Sequence, residues 1–533
     1  MRHASHPVLS CSESNEWERG LMKSDDQGWS AMRRVGRKLA SAICSDFSMT
    51  RLPQRDWRVL ALVGKGNNGG DALLAIRELL KMPRKISDVT LIFSSPVSDL
   101  KPLARKAYEL IAESEALRTL DPAGMEEGDW LALVDSVLHQ GPYELCIDGL
   151  LGMQFKPPLR GGSGVLIEKV NALRCIGLRV AVDLPSGTGD SSDERPFRAD
   201  ITYATGVFKS PLLKNEACGM IRYLDVGFFE EDRESVCRVI TDTVLDPLRA
   251  FRPASADKRS YGHLLVLAGS RSMPGALAMS VKAASRSGVG LVTVLAPESI
   301  AGRFAASLPE AMWRSWPETP EGGLALEGIW QVQTLASKAT ALLAGPGMGQ
   351  ERETRTMLQE LGRMWEKPVL LDADALQPEI VQAFTAGGNE GVVVTPHDGE
   401  FWRLSGRKDS SLEAIAGYAE DRKLVLIKKG SCTRVSRGDL TCVCPTGNAV
   451  LARGGSGDLL AGLAAGLMAQ RPDDCFVAAC QAVYWHGRAA DVWAMKNGQH
   501  AARTTDLLDF LSPALDSGES WNPHSPVERP TGS

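Results

Sequence analysis

Residues 64–71 read GKGNNGGD, which puts four glycines, two asparagines and an aspartate into one turn. Glycines let backbone N–H groups approach an anion, and the start of a following helix favours negative charge. Asn67 and Asn68 add amides able to ligate oxygen-rich groups or a cation. An ordinary capped strand-to-helix turn has a similar composition, and the stretch lacks both the GK[ST] of a Walker loop and a clean GxGxxG. Two further carboxylates stand where apolar runs stop. Asp148 ends Ile147-Asp148-Gly149, and Asp183 opens Asp183-Leu184-Pro185-Ser186-Gly187. Either aspartate alone could cap its own turn. Together with Asn68 and Ser186 they point to one pocket, because ligands of open parallel sheets bind outside the carboxyl ends of the strands.

A second constellation lies near the other end of the chain. Arg453-Gly454-Gly455-Ser456-Gly457-Asp458 precedes a run of small apolar residues that reads as a helix. Amides of Gly455 to Asp458 at a helix start can cradle a phosphoryl group, and Asp458 can take a proton from an attacking hydroxyl. The alternative is a glycine-rich helix start with Asp458 as a dipole-compatible residue. Several other turns accompany it: Met273-Pro274-Gly275-Ala276, Gly345-Pro346-Gly347-Met348-Gly349, Thr395-Pro396-His397-Asp398-Gly399-Glu400 and Lys428-Lys429-Gly430-Ser431-Cys432-Thr433. Asp372 and Asp374 in LDADAL (371–376) suit a magnesium or phosphate environment. His397 can equally serve as a turn cap, and His263 and His486 read as structural.

These turns need parallel sheets to hold them. Strand patterns at 58–63, 89–93, 144–147 and 179–182 alternate with helical patterns at 72–81 and 103–114. The second half repeats the style, with strands at 264–267, 291–295, 341–343, 369–371, 392–394 and 424–427. Buried strands alternating with helices predict α/β architecture with doubly wound sheets. The weakly patterned stretch 238–259 is taken as the boundary, giving domains 1–245 and 246–515, and the Ser/Pro/Gly-rich tail 516–533 is expected to be disordered.

Composition narrows the function classes. With 533 residues, two or more domains are expected. A net charge of −5 offers no footprint for nucleic acid or an anionic membrane. The 11 scattered cysteines contain no CxxC and no zinc-like spacing, so a reducing cytoplasm is expected. No stretch has the length of a signal peptide or membrane span.

The first series, GxGNNGGD, a strand-end Asp, then VDLPSG, with Gly206-Val207-Phe208-Lys209 and Leu224-Asp225-Val226-Gly227 beyond, resembles the NAD(P)H-hydrate epimerase domain over roughly residues 10–240. The resemblance implies a Rossmann-like parallel-sheet fold. Asn67, Asn68, Gly69, Gly70, Asp71 and Asp183 would hold hydrated NAD(P)H, with Asp183 handling protons. Asn68, Asp148 and Ser186 would surround a potassium ion. Two places depart from that family: Ala72 replaces a usual glycine, and Gly152-Met153-Gln154-Phe155-Lys156-Pro157 replaces a GTGL-type loop that lines the substrate.

The second series resembles the ADP/ATP-dependent NAD(P)H-hydrate dehydratase domain of the ribokinase-like superfamily over about residues 250–512. It implies Asp458 as the base and Ala276, Gly347 and His397 as contacts to the hydrated dinucleotide. Lys429, Gly430, Ser431, Cys432, Thr433 and Gly457 would bind ADP (or ATP), used with magnesium. Together the two series imply an enzyme that epimerises hydrated NAD(P)H and dehydrates its S form, as a homo-oligomer. The alternative is a ribokinase-like small-molecule kinase carrying a non-catalytic N-terminal scaffold domain.

Overall fold

The apolar runs of the first half become the inner strands of a seven-stranded sheet in the computed structural model, which describes residues 1–52, 56–82, 86–229 and 233–516. The order across this sheet is Leu117–Leu120, Ile86–Phe93, Trp57–Val63, Tyr143–Gly149, Ile176–Val182, Ile201–Thr205 and Met220–Leu224, and all neighbours are parallel. Side chains alternate between faces with period two. Val59, Ala61 and Val63 join a core with Leu39, Ile43, Leu73 and Ile76 of the helices Asp25–Phe47 and Asn67–Leu80. Leu60 and Leu62 join Trp130, Val134, Leu166 and Val170 of Glu127–Leu138 and Gly161–Ala172. The order reverses at Trp57–Val63, where Val63 is in register with both Phe93 and Gly149. The GKGNNGGD turn leaves the sheet at that reversal, the position where doubly wound sheets open a crevice.

The second sheet repeats this logic. Met312–Trp316, Leu291–Pro297, His263–Leu267, Ala341–Ala344, Val369–Leu371, Val392–Val394 and Val425–Lys428 run parallel in that order. An antiparallel pair, Arg434–Ser436 and Thr441–Val443, follows, and Cys237–Ile240 pairs parallel with the latter. The reversal here lies between His263–Leu267 and Ala341–Ala344, with Leu267 opposite Ala344. The helix Ser456–Gln470 lies close against Pro274–Arg286. A Cβ at Gly462 would stand 2.1 Å from the Ser280 carbonyl oxygen, so only glycine permits that approach.

The chain divides into two compact units. One comprises His6–Glu234 with Ala494–Gln499, the other Met1–Ser5, Ser235–Trp493 and the residues from His500 onward. The stretch expected to be unpatterned from 238 contains most of the strand Cys237–Ile240. Its four residues include the buried Arg238, and so short a run with a charge inside hides the strand. The helix expected over 103–114 is Pro102–Glu109. The tail beyond 516, expected to be disordered, lies outside the described residues. Among the described residues no helix is long and apolar enough to cross a membrane.

Candidate active sites

In the first unit the helix Asn67–Leu80 starts directly after Gly66, with Asn68 in its first turn and Asp71 just beyond it. Gly69 is forced by packing, since a Cβ there would sit 2.1 Å from the Gly64 carbonyl oxygen. Gly69 and Gly70 are thus buried in the turn, while Gly66, Asn67, Asn68 and Asp71 line a cavity of about 780 Å³ together with Asp183. The substituted loop lines it as well, through Gly152, Met153, Gln154 and Phe155. Ala72 is fully buried and faces Gly149, where a Cβ would lie 2.6 Å from its own, so alanine at 72 is accommodated by glycine at 149.

Asp148 and Ser186 meet directly. The Ser186 hydroxyl donates to Asp148 Oδ1 at 2.6 Å and its amide donates to Oδ2 at 2.7 Å. The Leu150 amide donates to Asp148 Oδ1 at 3.2 Å, and the Leu151 amide donates to Ser186 Oγ at 2.9 Å. Asn68 Nδ2 donates to the Leu151 carbonyl at 2.8 Å. All three residues therefore converge on the Leu150-Leu151 backbone. Burial pushes the Asp148 carboxyl up to about 6, against the pull of its Ser186 and Leu150 donors.

Asp183 adopts a left-handed backbone (φ 66°), a conformation that costs a non-glycine residue on the order of 1–3 kcal/mol and persists only where the surroundings enforce it. Its amide donates to the Tyr203 carbonyl at 2.9 Å. Its Oδ1 accepts from Lys209 Nζ at 2.5 Å, from Thr205 Oγ1 at 3.1 Å and from the Thr205 amide at 3.2 Å. Lys209 is 1% exposed and also faces Glu18 Oε1 at 3.8 Å. Glu18 comes from the helix Cys11–Leu21 and lines the cavity. Burial raises its carboxyl to about 7, opposed by Lys209 and reinforced by Asp183. Burial likewise holds Asp71 well above the carboxylate range, and the charges of Asp183 and Glu18 add to the effect. Sequence reasoning missed Glu18 and assigned no role to Lys209; a lysine in the buried pair Phe208–Lys209 was the available signal.

In the second unit the helix Ser456–Gln470 is entered through Gly455 at φ 88°, and Asp458 lies in its first turn. Lys429 Nζ lies 3.4 Å from where a Cβ of Gly457 would be, which puts its ammonium beside the glycine-rich helix start. The same ammonium contacts Asp372 Oδ1 at 3.0 Å and Glu400 Oε2 at 3.6 Å. Asp372 Oδ1 also accepts from Thr395 Oγ1 at 2.5 Å. Asp374 accepts from the Gly349 amide at 2.9 Å and from Gln350 Nε2 at 2.6 Å. Burial pushes Asp458 up to about 6. The nearby Asp372 and Asp374 raise it further, while Lys429 lowers it.

Gly347, at φ 63°, meets Ala276: a Cβ there would lie 2.9 Å from that of Ala276. His397 caps the helix Asp398–Ser405, its Nδ1 accepting from the Gly399 and Glu400 amides at 3.0 and 3.3 Å. Its side chain remains 59% exposed, with Nε2 lying 3.5 Å from Glu400 Oε1. Gly430 and Ser431 form an exposed turn after Val425–Lys428. Cys432 Sγ donates to the Cys444 carbonyl at 3.4 Å, with burial pushing its thiol up to about 12, and Thr433 Oγ1 donates to the Gly430 carbonyl at 3.2 Å. Thr395 and Glu400, within a recognised motif, were not singled out from sequence. His263 is buried and bonded to Thr293, and His486 is buried and held near 4.

Comparison with known proteins matches residues 30–210 to the family described as YjeF-related protein N-terminus, and residues 264–513 to the family described as NAD(P)H-hydrate dehydratase. The chain is 32% identical to the bifunctional NAD(P)H-hydrate repair enzyme Nnr of Moorella thermoacetica, over 85% of this chain and 86% of that protein. It is 34% identical to the protein of the same name from Gloeobacter violaceus, over 87% and 89%. A solved ADP/ATP-dependent NAD(P)H-hydrate dehydratase from Bacillus subtilis, co-crystallised with ATP and magnesium, is 29% identical over 50% of this chain and 92% of that one, with a TM-score of 0.41. The chain belongs to the family of bifunctional NAD(P)H-hydrate repair enzymes.

Proposed function

We propose that the first unit interconverts the R and S forms of hydrated NAD(P)H at Asp183, and that the second dehydrates the S form with ADP (or ATP) as co-substrate, using Asp458 as base. The observation that carries the reading is the placement of Asp458 and Lys429 at one glycine-rich helix start, beside Asp372. The C6 hydroxyl of the hydrate is a poor leaving group. Asp458 takes its proton as the oxygen attacks the terminal phosphorus of the nucleotide. The amides of Gly455 to Gly457 and the Lys429 ammonium stabilise the charge on the transferring group. The ring-nitrogen lone pair then expels phosphate and restores NAD(P)H. A carboxyl near 6 is mostly ionised at neutral pH and more basic than an ordinary aspartate, which suits that step.

Asn68, Asp148 and Ser186, gathered around the Leu150-Leu151 backbone, offer amide, carboxylate and hydroxyl oxygens, a hard and weakly charged set that fits potassium better than zinc. Potassium held there would supply fixed positive charge next to the epimerase cavity. Magnesium fits differently. Asp372 and Asp374 accept hydrogen bonds from protein donors, and among the described residues no group of three His, Cys, Asp or Glu could hold a metal. Magnesium would enter with the nucleotide phosphates, the usual habit of that ion. Ala276, Gly347 and His397 contact the hydrated dinucleotide, and Lys429 to Thr433 hold the adenine nucleotide. The same sites would serve a homo-oligomer in the cytoplasm.

Asp458→Asn tests the assignment. With S-hydrate and ADP the variant is expected to regenerate NADH about 10²–10⁴-fold more slowly, while calorimetry finds nucleotide binding retained. A variant with more than half the normal rate would remove Asp458 from the chemistry.

A further inference from the structure

One buried ammonium touches two carboxylates in the first unit, and only one of them belongs to a motif. Lys209 Nζ is 2.5 Å from Asp183 Oδ1 and 3.8 Å from Glu18 Oε1. Both carboxylates line the same 780 Å³ cavity. Their surroundings differ. Asp183 collects three donors on Oδ1, from Lys209 and from the hydroxyl and amide of Thr205. Glu18 has the 3.8 Å contact to Lys209 and otherwise faces the cavity, its side chain 19% exposed. Besides Lys209 and Asp183, Asp71 faces Glu18 in the cavity, while the acidic Asp25 and the basic residues Arg19, Lys23, Lys65 and Lys101 also line its wall. Three carboxylates around one lysine cannot all be charged without repulsion, so at neutral pH a proton stays within the group.

The helix carrying Glu18 is fixed from the strand ends that carry Asp183 and Asp148. Asp190, on the loop following Ser186, accepts from the Cys11 amide at 2.7 Å, the Ser12 amide at 3.0 Å and the Ser12 hydroxyl at 2.8 Å. Gln154, in the loop that departs from the family pattern, donates to Asn15 Oδ1 at 3.1 Å. Both loops thus set where Glu18 sits relative to Asp183.

We infer that Glu18 is the second catalytic residue of epimerisation, the acid that works opposite Asp183. This rests on the epimerase reading of the first unit. In the opening step Asp183 takes the proton of the C6 hydroxyl, the C6–O bond becomes a carbonyl, and the C6–N1 electron pair moves to N1. N1 receives the proton that Glu18 carried. Rotation about the freed C5–C6 bond presents the other face of the aldehyde. Closure then reverses each transfer: N1 attacks C6 and returns its proton to Glu18, while the new alkoxide takes back the proton from Asp183. No redox partner is needed and the two carboxyls end as they began.

The test follows R/S exchange by NMR in the full chain for Glu18→Gln and Glu18→Asp, across pH, with dehydration of S-hydrate as the internal check on folding. The expected result for Glu18→Gln is a loss of kcat of about 10²-fold or more with KM little changed. The normal chain is expected to lose rate above about pH 7, as Glu18 gives up its proton, and the Gln variant to lack that limb. Glu18→Asp should recover part of the rate and keep the limb, which a merely structural role would not produce. If Glu18→Gln exchanges R and S normally, the inference is wrong while the epimerase reading stands. If the limb persists in Glu18→Gln but vanishes in Asp71→Asn, the proton belongs to Asp71 and the inference is again wrong. If the unsubstituted chain does not exchange R and S at all, both the epimerase reading and this inference are overturned.

Discussion

The two sites are built to one plan and differ in what the lysine has left to give. In each, a lysine joins a strand-end aspartate to a helix glutamate: Asp183, Lys209 and Glu18 in the first unit, Asp372, Lys429 and Glu400 in the second. In each, a third carboxylate stands near the start of a glycine-rich helix, Asp458 within its first turn and Asp71 just past it. Lys209 is 1% exposed and spends its donors on Asp183 and the Thr205 carbonyl, with Glu18 beside it. Lys429 is 21% exposed and lies against Gly457, at a helix start where anions bind. The first lysine sets the protonation of carboxylates. The second is free to meet a phosphate. Proton exchange needs the former and phosphoryl transfer the latter.

The widest separation is expected from removing each lysine. Lys209→Met strands the buried Asp183 and removes the contact to Glu18, and breaking such a buried pair costs about 3–5 kcal/mol. Thermal unfolding should show the first unit melting early, whereas Lys429→Met should shift melting less and chiefly raise the KM for nucleotide. Equal melting shifts would contradict the contrast. A second expected difference is ionic. Potassium at about 100 times its Kd should stabilise the first unit by about 2.7 kcal/mol, and Asp148→Asn should abolish that response. Melting indifferent to potassium in the unsubstituted chain would remove the ion from the site.

The pH response sharpens the comparison further. With Asp458 as the proposed base, dehydration should fall about tenfold per unit as pH drops below about 6. Its raised folded-state value also means that the protonated form is favoured by folding. That stabilisation is complete below the ordinary carboxylate range and is lost as pH rises through about 6. Asp458→Asn should therefore not destabilise the fold at neutral pH. The smallest expected effect is at Ala72. Restoring glycine in this helix interior should cost about 1 kcal/mol and leave both activities unchanged, because Ala72 already fits against Gly149.

What was legible in the sequence follows from how local each constraint is. Gly64, Gly69, Gly347 and Gly455 are demanded by close approach or left-handed backbone within a few residues, and such demands leave short motifs. The strand-end aspartates were visible because apolar runs stop at them. Glu18 was not visible: its helix also carries Glu13, Glu16 and Arg19, so the segment reads as a solvated face, and only the tertiary fold brings it to Lys209. Glu400 was quoted in its motif, but its contact to Lys429 depends on two different strand ends. The strand Cys237–Ile240 was missed because four residues with a buried arginine carry no usable period.

The central claim is that both sites are active in one chain and that their reactions are consecutive. It is tested most directly by giving the intact protein an R/S mixture of hydrated NADH with ADP and magnesium, while following the absorbance of regenerated NADH. The account predicts complete recovery in one continuous course, faster than spontaneous epimerisation, with Asp183→Asn turning it into a fast phase followed by a stall. If the unsubstituted chain itself recovers only the S fraction and then slows to the spontaneous rate, its first unit is not an epimerase and the two-site account is contradicted.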